Sequence, residues 1–209
     1  MDDGKISIFA AEDHALVRQG MKLLISRHTD LRWVGEAGDG ASALAQVRLL
    51  RPDLLLLDLG LPRLDGLDVM QTLAREALPT RVLVVTARQD PASVRMALSF
   101  GAHGYLLKTD EADALVTAVR QVAAGGYFVS NELAAVFEHR HEHPLEIEEL
   151  TPREEDIAAR VGRGLPSKVI GGDLGISEHT VRKHRENIAR KLGLRNAAEL
   201  VAWAIRHRV

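Results

Sequence analysis

The sequence predicts an α/β domain built on a doubly wound parallel sheet, followed by a second, smaller domain made only of helices. Three observations carry that reading. Five short apolar runs alternate with five segments of helical spacing up to about residue 125. The alternation stops after Gly125-Gly126, and the last part of the chain has helical spacing throughout. The charge also changes sign: residues 151–209 hold 12 Lys and Arg against 7 Asp and Glu, whereas residues 1–150 hold 15 against 22. Opposite charge suggests different partners for the two parts, and a small basic domain raises the prospect of nucleic acid.

The apolar runs cover residues 6–11, 33–37, 54–57, 81–85 and 104–107, each suited to a buried strand. The helical segments between and after them cover 16–25, 41–50, 67–78, 92–100 and 112–124. Leu16, Gly20, Leu23 and Leu24 share one helical face, as do Leu44, Val47 and Leu50 with Ala43 beside them. Strands alternating with helices require a parallel sheet covered on both faces, and right-handed crossovers make it doubly wound. Residues 130–137 read as a short helix, and the polar stretch 138–149, which contains Pro144, reads as a linker. His139, His141 and His143 alternate as on a strand-borne metal face, but a flexible linker gives ligands no fixed geometry, so they read as solvated. The predicted domains are therefore 1–126 and 150–209, with 127–149 between them.

In the second domain, Thr151-Pro152-Arg153-Glu154 is a capping box with proline at the first helical position, opening a helix to about Val161. Gly164 and Gly175 mark turns, Ser177 caps a longer helix through Leu192, and Asn196 with Glu199 caps a last helix to about Arg206. A chain of 209 residues with 46 % hydrophobic and 27 % charged residues can fill two cores, which excludes a disordered protein. The absence of cysteine excludes disulfides, thiol nucleophiles and cysteine zinc sites. No apolar run approaches the ~20 residues that span a bilayer, and the start Met1-Asp2-Asp3 is unlike a signal peptide, so a cytoplasmic protein with no membrane partner is expected.

Polar groups fall at the carboxyl ends of the predicted strands. Glu12 and Asp13 follow the first strand, Asp58 the third, Thr86 the fourth and Lys108 the fifth. In a doubly wound sheet those ends share one edge, where ligands bind. Three carboxylates brought together repel one another, and a hard divalent cation such as magnesium relieves the conflict. Asp58 is then a candidate nucleophile toward phosphorus, with Lys108 balancing phosphoryl charge and the Thr86 hydroxyl donating to a phosphoryl oxygen.

These residues match a known family. Glu12-Asp13-His14, the run from Pro52 through Asp58 to Pro62, Leu64-Asp65-Gly66, Thr86-Ala87 and the run from Gly101 to Lys108 resemble the receiver domain of two-component response regulators. The resemblance implies strand order 2-1-3-4-5 and phosphorylation of Asp58 by a partner histidine kinase. It also implies a Mg2+ ion held by Asp13, Asp58 and the Gly60 carbonyl, with Glu12 helping through water. It further implies a switch in which Thr86 moves toward the phosphoryl group and Tyr105 changes rotamer; the plainer reading of Tyr105 is a core aromatic. Gly60 and Arg88 occupy positions that tune phosphate lifetime in receivers.

Residues 151–209 resemble the LuxR-type helix-turn-helix of NarL/FixJ-type regulators. The matching residues include Leu150-Thr151-Pro152-Arg153-Glu154, Gly164-Leu165, Ile176-Ser177-Glu178, the run from Thr180 to His184, and Lys191-Leu192-Gly193. Ile176, Val181, Ile188 and Leu192 can pack inward, leaving Arg182, Lys183, Arg185 and Glu186 for a DNA groove. Thr180, Lys168 and Arg190 complete the candidate contacts, the last two toward phosphates. Departures from the family pattern are Pro166 before the scaffold helix, Val169, Gly171-Gly172 within it, Glu186, and Ala197-Ala198. Each interior glycine costs about 1 kcal/mol relative to alanine.

The expected function is a transcriptional regulator that binds double-stranded promoter DNA, pairs as a homodimer on activation and acts with RNA polymerase. It is not an enzyme beyond its own phosphotransfer and dephosphorylation. A phosphohydrolase working through an aspartyl phosphate is the enzymatic alternative, but its usual second acid two residues after the nucleophile is here Gly60. A phosphorylation-independent regulator with a vestigial receiver is the other alternative, against which stand Asp13, Asp58, Thr86 and Lys108.

Overall fold

The computed structural model describes residues 4–130, 150–194 and 197–207, and the chain divides into two compact units, Met1–Ala123 and Ala124–Val209. The helix expected after Ser130, the linker histidines and the Asn196 cap lie outside the described residues.

The first unit runs β1 (Ile6–Ala11), α1 (Ala15–Ser26), β2 (Leu31–Ala37), α2 (Gly40–Leu50), β3 (Leu54–Leu57), α3 (Gly66–Arg75), β4 (Arg81–Thr86), α4 (Pro91–Ser99), β5 (Gly104–Leu107) and α5 (Ala112–Ala123). Its strands are parallel in the order β2-β1-β3-β4-β5, the doubly wound arrangement that the sequence predicts. All four leucines of β3 are buried, because a parallel strand covered on both faces has no solvent side. Asp39, Asp65 and Asp90 cap α2, α3 and α4, each accepting a backbone N–H at 2.8 to 2.9 Å, so short polar residues stop each loop and start each helix. In register, Ala11 faces Leu57 and Thr86 faces Leu107, which brings the residues just beyond these strands to one edge.

Gly66 makes that edge compact. A Cβ on it would stand 2.3 Å from the Asp58 carbonyl oxygen, so only glycine lets α3 begin against the backbone just past the end of β3.

Three details depart from expectation. On α1 the inward residues are Met21 and Ile25, while Leu16 and Leu23 are exposed. Two apolar stripes offset by one residue overlap on this helix, and the stripe read from the sequence is the outer one. Second, α3 ends at Arg75, not at residue 78, because Ala77 takes a left-handed φ of 49°. Third, Leu50 is half exposed at the end of α2, although Ala43, Leu44 and Val47 pack inward.

The second unit contains β6 (Phe128–Val129), which the sequence pattern does not signal, and α6 (Pro152–Gly162), α7 (Ser167–Leu174), α8 (Glu178–Lys191) and α9 (Ala197–His207). The capping box at the start of α6 is present: Thr151 Oγ1 accepts the Glu154 N–H at 3.3 Å, and Glu154 Oε2 accepts the Thr151 N–H at 2.9 Å. The same Oε2 lies 2.8 Å from Lys191 Nζ, tying the start of α6 to the end of α8. Burial pushes the Glu154 carboxyl up, but Lys191 and Thr151 outweigh it and hold the pKa at about 2. Ile157, Val161, Ile170, Val181, Ile188 and Leu200 form the core. Among the described residues no helix is long and apolar enough to cross a membrane.

The two glycines inside α7 have different physical standing. A Cβ on Gly171 would lie 2.7 Å from the Ile176 carbonyl oxygen, at the turn into α8, whereas one on Gly172 would meet nothing within 4 Å. Gly171→Ala is therefore expected to lower stability by about 1 to 3 kcal/mol through forced displacement of backbone. Gly172→Ala is expected to raise it by about 0.5 to 1 kcal/mol. Urea denaturation of the two variants checks this, and shifts of the same sign would contradict it.

Candidate functional site

The carboxyl edge of the sheet carries the acidic residues that the sequence singled out. The Asp58 N–H continues the ladder to the Ala11 carbonyl at 2.9 Å, and the Lys108 N–H does so to the Thr86 carbonyl at 3.0 Å, so both side chains leave the sheet at fixed points. Lys108 Nζ sits 2.7 Å from Asp58 Oδ2, 2.7 Å from Glu12 Oε2 and 2.8 Å from Glu12 Oε1. Glu12 and Asp58 are buried, with relative exposures of 1 % and 5 %, so the ammonium bridges two carboxylates that solvent barely reaches. Asp13 stands beside them at the exposed rim.

Burial alone pushes the Asp58 carboxyl up. The Lys108 ammonium, the Gly60 N–H at 3.1 Å and the Thr86 hydroxyl more than offset it and hold the group below the usual carboxylate range. Burial likewise pulls the Lys108 ammonium down, and its bonds to Asp58 and Glu12 carry it above the ordinary lysine value. Asp58 is thus held as an anion with one oxygen on Lys108, the state a carboxylate nucleophile needs.

Carboxylate oxygens of Glu12, Asp13 and Asp58 and a ring nitrogen of His14 lie within 4.8 Å of one another. Three carboxylates face one ammonium there. Glu12 Oε2 is sealed from solvent, and the Lys108 contact to it lacks hydrogen-bond geometry, which leaves a buried acceptor aimed into the cluster. An oxygen-rich donor set with excess negative charge fits a hard divalent cation.

The loop after β4 is tied at three points. Thr86 is buried and its Oγ1 accepts the Arg88 N–H at 3.3 Å. Tyr105 is wholly buried and its hydroxyl donates to the Arg88 carbonyl at 3.1 Å. The Arg88 guanidinium pairs with Asp65 at 2.8 Å, the residue that caps α3. Burial pushes the Tyr105 hydroxyl well above the usual tyrosine value, so it stays a donor. The sequence motif contains His14 but assigns it no role; its Nδ1 lies 2.7 Å from Asp13 Oδ1 and 3.2 Å from Glu12 Oε1.

In the second unit, α7 and α8 meet through the turn at Gly175, whose φ of 65° is left-handed, and Ser177 caps α8 by accepting the Thr180 N–H at 3.0 Å. Thr180 is therefore engaged in the cap, its hydroxyl 2.8 Å from that of Ser177. Lys168, Arg182, Lys183, Glu186 and Arg190 are exposed. Residues 182, 186 and 190 recur every fourth position along α8 and form its outer face, while Val181, Ile188 and Leu192 are buried. Arg182 also pairs with Glu178 one turn earlier.

Arg185 departs from expectation. It does not join the outer face: its relative exposure is 9 %, its Nη1 donates to Ser167 Oγ at 3.1 Å, and its guanidinium lies 5.4 Å from the centre of the Tyr127 ring. At one turn from Val181 and three residues before Ile188, position 185 lies on the inward stripe of α8. A charge type alone does not reveal this, but the helical phase does.

Comparison with known proteins accords with both halves. Residues 8–120 match the response regulator receiver domain, and residues 148–204 match the bacterial regulatory proteins of the luxR family. The chain is 36 % identical over 208 residues to the nitrate/nitrite response regulator protein NarL of Escherichia coli, covering 97 % of this chain and 96 % of that protein. Among solved structures, the signal receiver domain of NarL from Mycobacterium tuberculosis is 40 % identical with a TM-score of 0.56, covering 58 % of this chain and 98 % of that one. The response regulator ChrA of a heme-sensing two-component system is 30 % identical with a TM-score of 0.56, covering 98 % of each chain. The chain belongs to the two-component response regulators that join a receiver domain to a LuxR-type helix-turn-helix, and it is a DNA-binding transcriptional regulator of that family.

Proposed function

We propose that Asp58 is the phosphoacceptor and that its phosphorylation by a partner histidine kinase switches DNA binding. The observation that carries this is the Lys108 ammonium bridging the buried carboxylates of Asp58 and Glu12 at the shared strand edge. An Asp58 oxygen attacks phosphorus in line, the bond from phosphorus to the kinase imidazole breaks, and the imidazole leaves with its electron pair. Lys108 turns from the carboxylates to a phosphoryl oxygen, and the Thr86 hydroxyl donates to another. Asp13, Asp58 and the Gly60 carbonyl, with Glu12 through water, would hold a magnesium ion, which supplies charge neutralisation to the phosphoryl oxygens when bound. Movement of Thr86 releases the Arg88 N–H, and Tyr105, bonded to the Arg88 carbonyl, registers the change. The chain's own chemistry is confined to taking up and hydrolysing this phosphoryl group.

On DNA, the outer face of α8 supports a recognition helix in the major groove. Arg182 and Lys183, near its amino end, reach base edges; Lys168 and Arg190 reach phosphates; Glu186 accepts from a cytosine amine. Arg185 is given no reading role, because Ser167 and Tyr127 occupy it. The phosphorylated chain pairs as a homodimer on two half-sites about one helical turn apart and there meets RNA polymerase.

Acetyl phosphate with magnesium is expected to label the chain at Asp58, and Asp58→Asn to abolish the label. Mass spectrometry of the intact chain and its peptides checks this; labelling that persists in the variant, or that ignores a chelator, would contradict the assignment.

Arg182→Ala and Lys183→Ala are expected to cost about 1 to 3 kcal/mol at the preferred site and to relax sequence choice. Lys168→Ala and Arg190→Ala should weaken all sequences alike and reduce the salt slope by about 1. Arg185→Ala should instead lower the melting temperature, through loss of a buried hydrogen bond. Binding titrations against varied sequences, beside thermal melts, separate the three classes. A specificity change in Arg185→Ala at unchanged stability would reverse the assignment of that face.

A further inference from the structure

We propose that His14 is a nitrogen donor to the cation site, one that strengthens binding of a borderline divalent ion such as cobalt or zinc and adds little for magnesium. The proposal rests on the reading of Glu12, Asp13 and Asp58 as that site, and it concerns a residue to which that reading gives no part.

Three observations place the imidazole there. Its Nδ1 lies 2.7 Å from Asp13 Oδ1 and 3.2 Å from Glu12 Oε1, and a ring nitrogen shares a sphere of 4.8 Å with carboxylate oxygens from all three acids. Donors that surround one ion at about 2.0 to 2.2 Å must themselves lie within about 4.4 Å, so this spread needs only a small closing. The His14 backbone is pinned by its N–H, which donates to Glu12 Oε1 at 3.0 Å. The residue also stands at the N-cap of α1, where a side chain ordinarily caps the helix, yet the imidazole makes no cap bond. It turns to the carboxylates instead. At 68 % exposure the ring can adjust without disturbing the core.

Chemistry separates the two ion classes. Magnesium prefers oxygen donors and water, whereas imidazole adds strength chiefly for later first-row ions. A site of carboxylates alone would also bind cobalt above magnesium, so the decisive quantity is the change on removing the imidazole. Positioning is the competing role: an imidazole that only orients Asp13 would serve both ions equally.

The test titrates the full-length, untagged chain with cobalt, reading its visible ligand-field absorption as a difference from Asp13→Asn, and with magnesium by calorimetry. The titrations use a pH at which imidazole is neutral. Histidines elsewhere cancel in the difference. His14→Ala and His14→Gln are expected to weaken cobalt binding about tenfold or more and to alter the band, with magnesium binding changed less than about twofold. His14→Gln retains a hydrogen-bonding amide for Asp13, so its failure to restore cobalt affinity supports a ligand role over a positioning one. Equal loss for both ions, rescue by His14→Gln, or an unchanged cobalt band would overturn the proposal. A cobalt band that survives intact in Asp13→Asn would instead defeat the reading of the acidic cluster as a cation site, and this proposal with it.

Discussion

The structure of the first unit turns on one ammonium held between two buried carboxylates. Without Lys108, Glu12 and Asp58 would face each other at the end of β1 and β3 with little solvent to screen them, a repulsion that opens the edge. Parallel register creates the problem, because it sets every strand's carboxyl end on the same side; it also supplies the remedy, because β5 ends at the same edge. Gly66 lets α3 close against that edge, and Asp65 beside it caps the helix while holding Arg88. The resulting cleft is charged, compact and short of two positive charges, which is what makes an added divalent cation and a phosphoryl group mutually compatible there.

The same geometry suggests how local chemistry reaches a surface. Arg88 has its N–H on Thr86, its carbonyl on Tyr105 and its guanidinium on Asp65, so a shift of Thr86 cannot leave the loop after β4 untouched. A close-packed interior does not deform continuously, and Tyr105, wholly buried, has to fill or vacate its space as a unit. This gives the proposed switch two discrete arrangements. In the second unit the corresponding economy is on α8, where one helix carries a buried stripe through Arg185 and an exposed basic stripe through Arg182 and Arg190.

What the sequence made legible was what short-range pattern and motif encode. The five strands, their order, the Thr151 capping box and the convergence of Glu12, Asp58, Thr86 and Lys108 follow from periodicity, cap chemistry and strand-end placement, together with the family resemblance. Phase was harder. On α1 the leucines formed a convincing face, and only tertiary packing decides that Met21 and Ile25 are the inner ones. Arg185 looked like a groove residue because its charge outweighed its position in the helical repeat, and the partner that accepts it, Ser167, comes from another helix. Gly171 looked like a cost to α7, since the Ile176 carbonyl that forbids a side chain there is visible only after the turn has folded. The two-residue β6 is too short to leave a periodic signature.

On the proposed mechanism, the charge state of the Asp58 cleft governs DNA binding by the other half of the chain. The most direct measurement is the affinity of the full-length chain for its preferred promoter site, with and without beryllofluoride, which mimics a phosphoryl group on a carboxylate without turning over. Affinity is expected to rise about tenfold or more in the parent chain, equivalent to a bias of about 1.4 kcal/mol between the two states, and not at all in Asp58→Asn. Equal affinity in both conditions, or the same rise in Asp58→Asn, would contradict it.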